Sequence, residues 1–374
     1  MTKWESDKAY RHWLYQAVGM GNRGLLRKLT SDCTPAEIYE TAKKRCLAKM
    51  LSTRYQAKAN QIEAFTENYD MTAEYEKLIE RGISFVTVNE EGYPKKLVDI
   101  PDPPWAIYYV GKLPREKEMS IAVIGARNCS EYGKAMARQF GEILAGGGIQ
   151  IVSGMARGID GIGQQAALEA GGYSLAVLGC GVDICYPPEN RQLYEKLIAE
   201  GGICSEYPPG IEPRSILFPP RNRIISGMCD GVLVIEAKER SGTLITVDMA
   251  LEQGRDVYAL PGRITDPLSS GCNKLIRQGA ELVVSPQEML RELKPGCVMG
   301  QTGEQQMIPV PVSVGERLLR LLDYEPVSME ILQQKYARTY NSPITVPEFC
   351  LEMLKLCADG LAGQISGNYY VRKG

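Results

Sequence analysis

From Met119 onward, a short and wholly apolar run, a glycine-bearing turn and an amphipathic helix follow one another repeatedly. No other feature restricts the fold as strongly. Ile121–Ile124 is the first such run, and Gly125 ends it. Ser130 is placed to cap a helix over Glu131–Ala145, which Gly146, Gly147 and Gly148 stop. Strands follow at Ile149–Val152, Ser174–Leu178, Val232–Ile235 and Val257–Leu260, with helices at Asp160–Ala170, Asn190–Ala199 and Thr243–Gln253. A strand that is apolar along its whole length, not at alternate positions, is buried on both faces. Such strands joined by helices form a parallel sheet with right-handed crossovers. The spacing therefore predicts an α/β protein with a doubly wound, mostly parallel sheet.

With 374 residues, the chain has room for more than one domain. Four parts are expected. Residues 1–70 read as a small helical domain (SAM- or helix-hairpin-helix-like), from the spacing of Trp13, Leu14, Ala17 and Val18. Its Val18–Leu26 stretch is either a Gly-x-Gly turn whose amides face a phosphate or a plain helix–helix turn. Residues 71–294 hold an extended Rossmann-like core with a proline-rich lead-in. That lead-in contains strands at Ile83–Val88 and Trp105–Val110, joined through Tyr93-Pro94 and Pro101–Pro104. Residues 295–312 are polar and glycine-rich, as linkers are. Residues 313–374 show helices at Val314–Leu322, Ser328–Tyr336 and Val346–Asp359, then a hairpin over Leu361–Val371, the order of a winged helix. Its third helix carries one positive charge, Lys355, so protein contact or packing competes with DNA binding.

Composition removes several function classes. The net charge is −2, so a polyanion partner must be met by local clustering. The N-terminus has no apolar signal region and no run is long enough to span a bilayer, which leads to the expectation of a cytoplasmic protein with no membrane partner. Eleven cysteines occur without a C-x-x-C pair, which argues against both a zinc site and a disulfide framework. The single histidine, His12, sits beside Trp13 in an apolar helical stretch and reads as structural. Histidine triads are thereby excluded, and no metal or cofactor is expected.

In an open α/β sheet, ligands bind outside the carboxyl ends of the strands, and four loops should converge there. In Gly125–Ser130, Gly125 permits a tight turn and Arg127 can fork onto a phosphate, with Ser130 behind it. In Ser153–Asp160, small residues Gly154, Ala156 and Gly158 expose backbone amides, Arg157 adds charge and Asp160 is placed to cap the next helix. In Gly179–Asn190, Tyr186 is a base-stacking candidate, or a ring packed by its two prolines. The fourth loop contributes Arg221, Asn222 and Arg223 near a helix start, and Ser241, Gly242 and Thr243 at another. Arg221 and Arg223 are also readable as a solvated surface pair. Neither G-x-G-x-x-G nor the Walker lysine pattern is present. Glu236 and Glu239, among the cations of these loops, could instead serve acid–base chemistry.

Together, Ile121–Gly133, Ser153–Asp160, Val177–Asn190, Phe218–Gly227, Glu236–Thr246 and Pro261–Ala280 resemble the bacterial DNA-processing protein A family (DprA, also called Smf). The resemblance implies a single-stranded DNA-binding protein, not an enzyme. It implies protection of incoming DNA during natural transformation, loading of the RecA recombinase, and action as a homodimer. It also implies that Arg127, Gly154, Arg157, Asn222, Arg223 and Ser241–Thr243 contact phosphates. Met155 and Ser226 depart from the family pattern without removing a donor or a charge. The alternative is a nucleoside-monophosphate phosphoribohydrolase, whose sheet is similar. Its Pro-Gly-Gly-x-Gly-Thr loop is altered here to Glu239–Thr243, and Thr246 falls about where its catalytic acid would be.

Overall fold

A computed structural model describes residues 3–295, 313–365 and 368–373. Its centre is a nine-stranded sheet in the order β1-β2-β6-β5-β4-β3-β7-β8-β9. The strands are β1 Ser84–Thr87, β2 Ala106–Gly111, β3 Ser120–Ile124, β4 Gln150–Ser153, β5 Ser174–Val177, β6 Gly202–Ser205, β7 Gly231–Val234, β8 Asp256–Ala259 and β9 Glu281–Leu282. From β6 to β9 every pairing is parallel, while β1 and β2 join antiparallel at one side. The chain builds outward from β3 to β6, then crosses back to lay β7 against the other side of β3. The strand order therefore reverses between β3 and β7, where two diverging connections leave a crevice.

Every residue of β3, β4, β5, β6 and β7 is buried, as expected for strands covered on both faces. Two apolar layers cover the middle of the sheet. One gathers Val152, Val177, Ile224 and Val247, the other Ile121, Phe140, Ile151 and Leu233. Ser130 caps the helix Glu131–Gly146 by accepting from the Gly133 amide. Two strands of this sheet escaped the sequence reading. β6 (Gly-Ile-Cys-Ser) has too few apolar side chains to announce itself, and β9 is only two exposed residues long. Gly202 is required in β6 because a Cβ there would meet the Lys112 carbonyl.

The N-terminal helices share one apolar cluster with the β1–β2 side of the sheet: Trp13, Leu14 and Leu26 pack with Phe85, Trp105 and Tyr108. His12 is buried among the rings of Tyr75, Phe85 and Tyr108, and burial lowers its pKa to about 4, so it stays neutral. The Gly19–Asn22 turn leads into Arg23, which turns inward and donates to Asp102 and Glu206. Beyond residue 313 come the helices Val314–Leu321, Met329–Tyr340 and Val346–Ala358 and a small antiparallel sheet, β10 Val327–Ser328, β12 Tyr369–Arg372 and β11 Ala362–Ile365. They enclose their own core around Leu318, Leu332 and Phe349. Apart from residue 295, the expected linker lies outside the described residues, as does Gly367 in the hairpin.

Candidate nucleic-acid interface

The crevice at the β3/β7 reversal is a cleft of about 660 Å³, and a smaller cavity of about 230 Å³ adjoins it. Phe218 forms a shared wall. Its ring stacks on Tyr186 with centroids 5.4 Å apart, and the guanidiniums of Arg127 and Arg221 lie 5.8 and 5.9 Å from its centroid. Arg127 and Lys238 are exposed at the cleft, and among the described residues neither is held in an ion pair. A flat aromatic wall beside free cations fits a base and a phosphate side by side.

Of the residues singled out in the sequence, Gly125, Arg127, Ala156, Tyr186, Arg221, Asn222, Ser241, Gly242 and Thr243 line the larger cleft. Gly154 and Arg157 line the smaller cavity with Arg127, Ala156, Tyr186 and Arg221. Arg157 is exposed and pairs with Glu189. Tyr186 is 38% exposed, so it is only partly packed. Thr243 Oγ1 donates to the Gly125 carbonyl at 3.2 Å, tying two of the loops together. Ser241 Oγ is enclosed and has no partner among the described residues.

Four of the residues are placed elsewhere. Arg223 does not line the cleft. Its Nη2 donates to both Glu206 carboxylate oxygens at 2.9 Å, and its Nε donates to the Asp102 carbonyl at 2.8 Å. Two helical positions rotate a side chain by about 200°, so Arg221 and Arg223 leave opposite sides of the helix Phe218–Gly227. They are also not a solvated pair, being only 5% and 7% exposed. Ser130 gives its hydroxyl to Glu236, and Ser153 gives its own to the Val123 carbonyl. Gly158 is a conformational device, with φ at +73°.

The Ser153–Asp160 loop also differs in mechanism from the expectation of an amide cradle. Its first amides are used within the protein: Gly154 N–H donates to Asp160 at 3.3 Å and Met155 N–H to Gln164 at 3.0 Å. Asn190 clamps the loop from outside, donating to the Met155 and Ala156 carbonyls at 2.9 and 3.2 Å. Asp160 is not the helix cap, a position that Gly158 occupies. It is buried, and burial raises its carboxyl above the usual range against the pull of Arg221. Burial lowers the Arg221 guanidinium in turn, and Arg221 donates to the Val177 and Gly154 carbonyls. Arg221 is thus a buried brace with one edge on the cleft.

Phe218 and Asn128 were not among the site residues chosen from the sequence, yet both line the cleft, as does Lys238, one of the cations of the strand-end loops. For Phe218 a signal existed: it is one of five phenylalanines and precedes Pro-Pro-Arg at a helix start. Neither glutamate suited to acid–base chemistry lines the cleft. Glu236 is 2% exposed and accepts from the Ser130 amide and hydroxyl, while Glu239 pairs with Lys274. Burial pushes the Cys180 thiol up to about 12, leaving it protonated at neutral pH.

The model of the family described as DNA recombination-mediator protein A matches residues 84–294, the stretch that builds the nine-stranded sheet and the cleft. The chain belongs to this family. Protein Smf of Escherichia coli is 38% identical to it over 293 residues, covering 76% of each chain. Among solved structures, DprA of Streptococcus pneumoniae superposes with a TM-score of 0.63 at 34% identity, covering 76% of this chain and 97% of that one. DprA of Helicobacter pylori, described with a single-stranded DNA binding mode, gives a TM-score of 0.50 at 30% identity, covering 56% of this chain and 95% of that one. Membership accounts for the large, mostly parallel Rossmann-type sheet. No helix among the described residues is long and apolar enough to cross a membrane.

Proposed function

We propose that this chain binds single-stranded DNA along the β3/β7 cleft, mainly through backbone phosphates. The observation that carries the reading is Arg127 beside the Phe218–Tyr186 stack, with Lys238 lining the same cleft of about 660 Å³, neither cation being held in an ion pair among the described residues. Asn222, Ser241, Gly242 and Thr243 add polar contacts along the same wall, and Arg157 extends the path through the smaller cavity. Arg223 and Glu206 support the cleft from behind it. The single-stranded DNA binding mode described for the Helicobacter pylori relative supports the ligand class.

On family grounds, the proposed role is to protect incoming strands and load RecA onto them in recombination and transformation. It would act as a cytoplasmic homodimer and without turnover. We assign 1–70 to a helical domain that packs on the lead-in, 295–312 to a linker and 313–374 to a winged-helix module. A RecA strand-exchange assay on strands coated with single-strand-binding protein tests the loading role, and no stimulation would overturn it.

The DNA site is tested by titrating homopolymer strands across a salt series. Phosphate binding should give log K falling with log salt by about 0.7 per contact on a single strand. Arg127→Ala should weaken binding alike on all sequences and flatten that slope by about one contact. Salt-independent binding, or an Arg127→Ala variant with unchanged affinity, would place the site elsewhere.

A further inference from the structure

We propose that the outer face of the helix Val346–Ala358 is a contact between copies of this chain, separate from any pairing of the α/β cores. This helix is apolar on two opposite faces. Phe349, Met353 and Leu356 point inward and are 0%, 1% and 7% exposed. On the other side, Leu351 and Leu354 are 55% and 65% exposed, in line with the exposed Pro347 and Ala358. The spacing of these four positions is four, three and four residues, the alternation of a helix–helix seam. Solvation does not explain two neighbouring leucines on the ridge of a capped helix.

Charge selects the occupant. A helix that reads nucleic acid presents basic residues on its outer ridge. Here Lys355 is the only cation on the helix, beside Glu348 and Glu352. The Glu352 carboxylate lies toward Gly315, away from the ridge, and bonds Lys355 at 2.7 Å. One flank of the leucine ridge therefore has Glu348 near its start and Lys355 near its end. The other flank carries the half-buried Cys350 and Cys357 and no acidic or basic side chain. When two such helices pack antiparallel about a two-fold axis, like flanks meet. Glu348 of each copy then falls beside Lys355 of the other, and Leu351 packs on Leu354. The pattern is self-complementary, as an isologous contact requires. Four side chains a side make a weak contact, which becomes effective when copies are already held together elsewhere or lie side by side on one strand.

Sedimentation velocity of the full chain over a concentration series tests this. Leu351→Ser with Leu354→Ser should move the onset of the larger species to at least about tenfold higher concentration. Far-UV circular dichroism should stay unchanged, because both side chains face solvent. Glu348→Lys and Lys355→Glu should each weaken the association by about threefold or more, and the two together should restore it. Restoration is the decisive readout, since a different protein partner would not be rescued by the exchange. Self-association that survives the serine variant, or single charge variants that the double does not rescue, overturns this contact alone. A chain that stays monomeric throughout overturns both this contact and the homodimer reading.

Discussion

Gly158 and Arg221 show how closely the cleft depends on single side chains. Gly158 adopts φ +73°, and a Cβ there would strike the carbonyl oxygens of Ala126 and Arg127. Gly158→Ala should therefore cost about 1–3 kcal/mol, read as a lower urea midpoint, and should weaken DNA binding because it moves Arg127. Tyr186 tests the aromatic wall. If a base stacks there, Tyr186→Ala should lose about 1–3 kcal/mol on an ordinary strand and much less on an abasic one. Equal losses on both strands would mean that the ring only packs the Gly179–Asn190 loop. The placement of Arg127 and Tyr186 at the cleft was legible in the sequence because it is local: each stands in a glycine-bearing loop that follows a strand. The difference between Arg221 and Arg223 was not legible. Two identical residues two positions apart separate only through helical phase and through Glu206, which stands on another element just past the end of β6.

Among the elements, the helix Glu131–Gly146 is joined to the end of β7 by one carboxylate. Glu236 accepts from the Ser130 amide at 2.9 Å and from its hydroxyl, while Ser130 caps the helix. Burial raises the Glu236 carboxyl above its ordinary value of 4.5, with the Ser130 bonds opposing. In the window just above that value, the folded state binds more protons than the unfolded one. This group's contribution therefore favours folding as the pH falls through the raised value and is lost as the pH rises. Stability measured from pH 7 down to pH 5 should then contain a component that Glu236→Gln removes. A variant with the same pH profile as the natural chain would show that Glu236 does not titrate there. The strands β3, β5 and β7 were legible as apolar runs. β6 was not, since its burial comes from β5 and β2 on either side and not from its own composition.

For the molecule as a whole, Glu206 joins three regions distant in sequence. It accepts from Arg23 of the N-terminal helices and from Arg223 behind the cleft, and Asp102 of the lead-in contacts both arginines. Removing one partner of a buried ion pair leaves charge stranded in a poor dielectric. Glu206→Ala should thus lower unfolding free energy by about 3–5 kcal/mol. Amide exchange should rise first in the helix Arg23–Asp32, if the N-terminal helices are held through this cluster. The sequence alone determined the alternation of strands and helices, the crevice at the strand ends and the charged residues available to it, because these follow from periodicity and nearby glycines. The tertiary structure decided which arginines face the cleft, that Phe218 walls it, and that the Gly154 and Met155 amides turn inward. The choice between the arginines and the placing of Phe218 depend on side chains that different strand ends bring together, and the inward turn of the amides depends on Asp160 and Gln164 folding back from the next helix, so no local pattern records who meets whom.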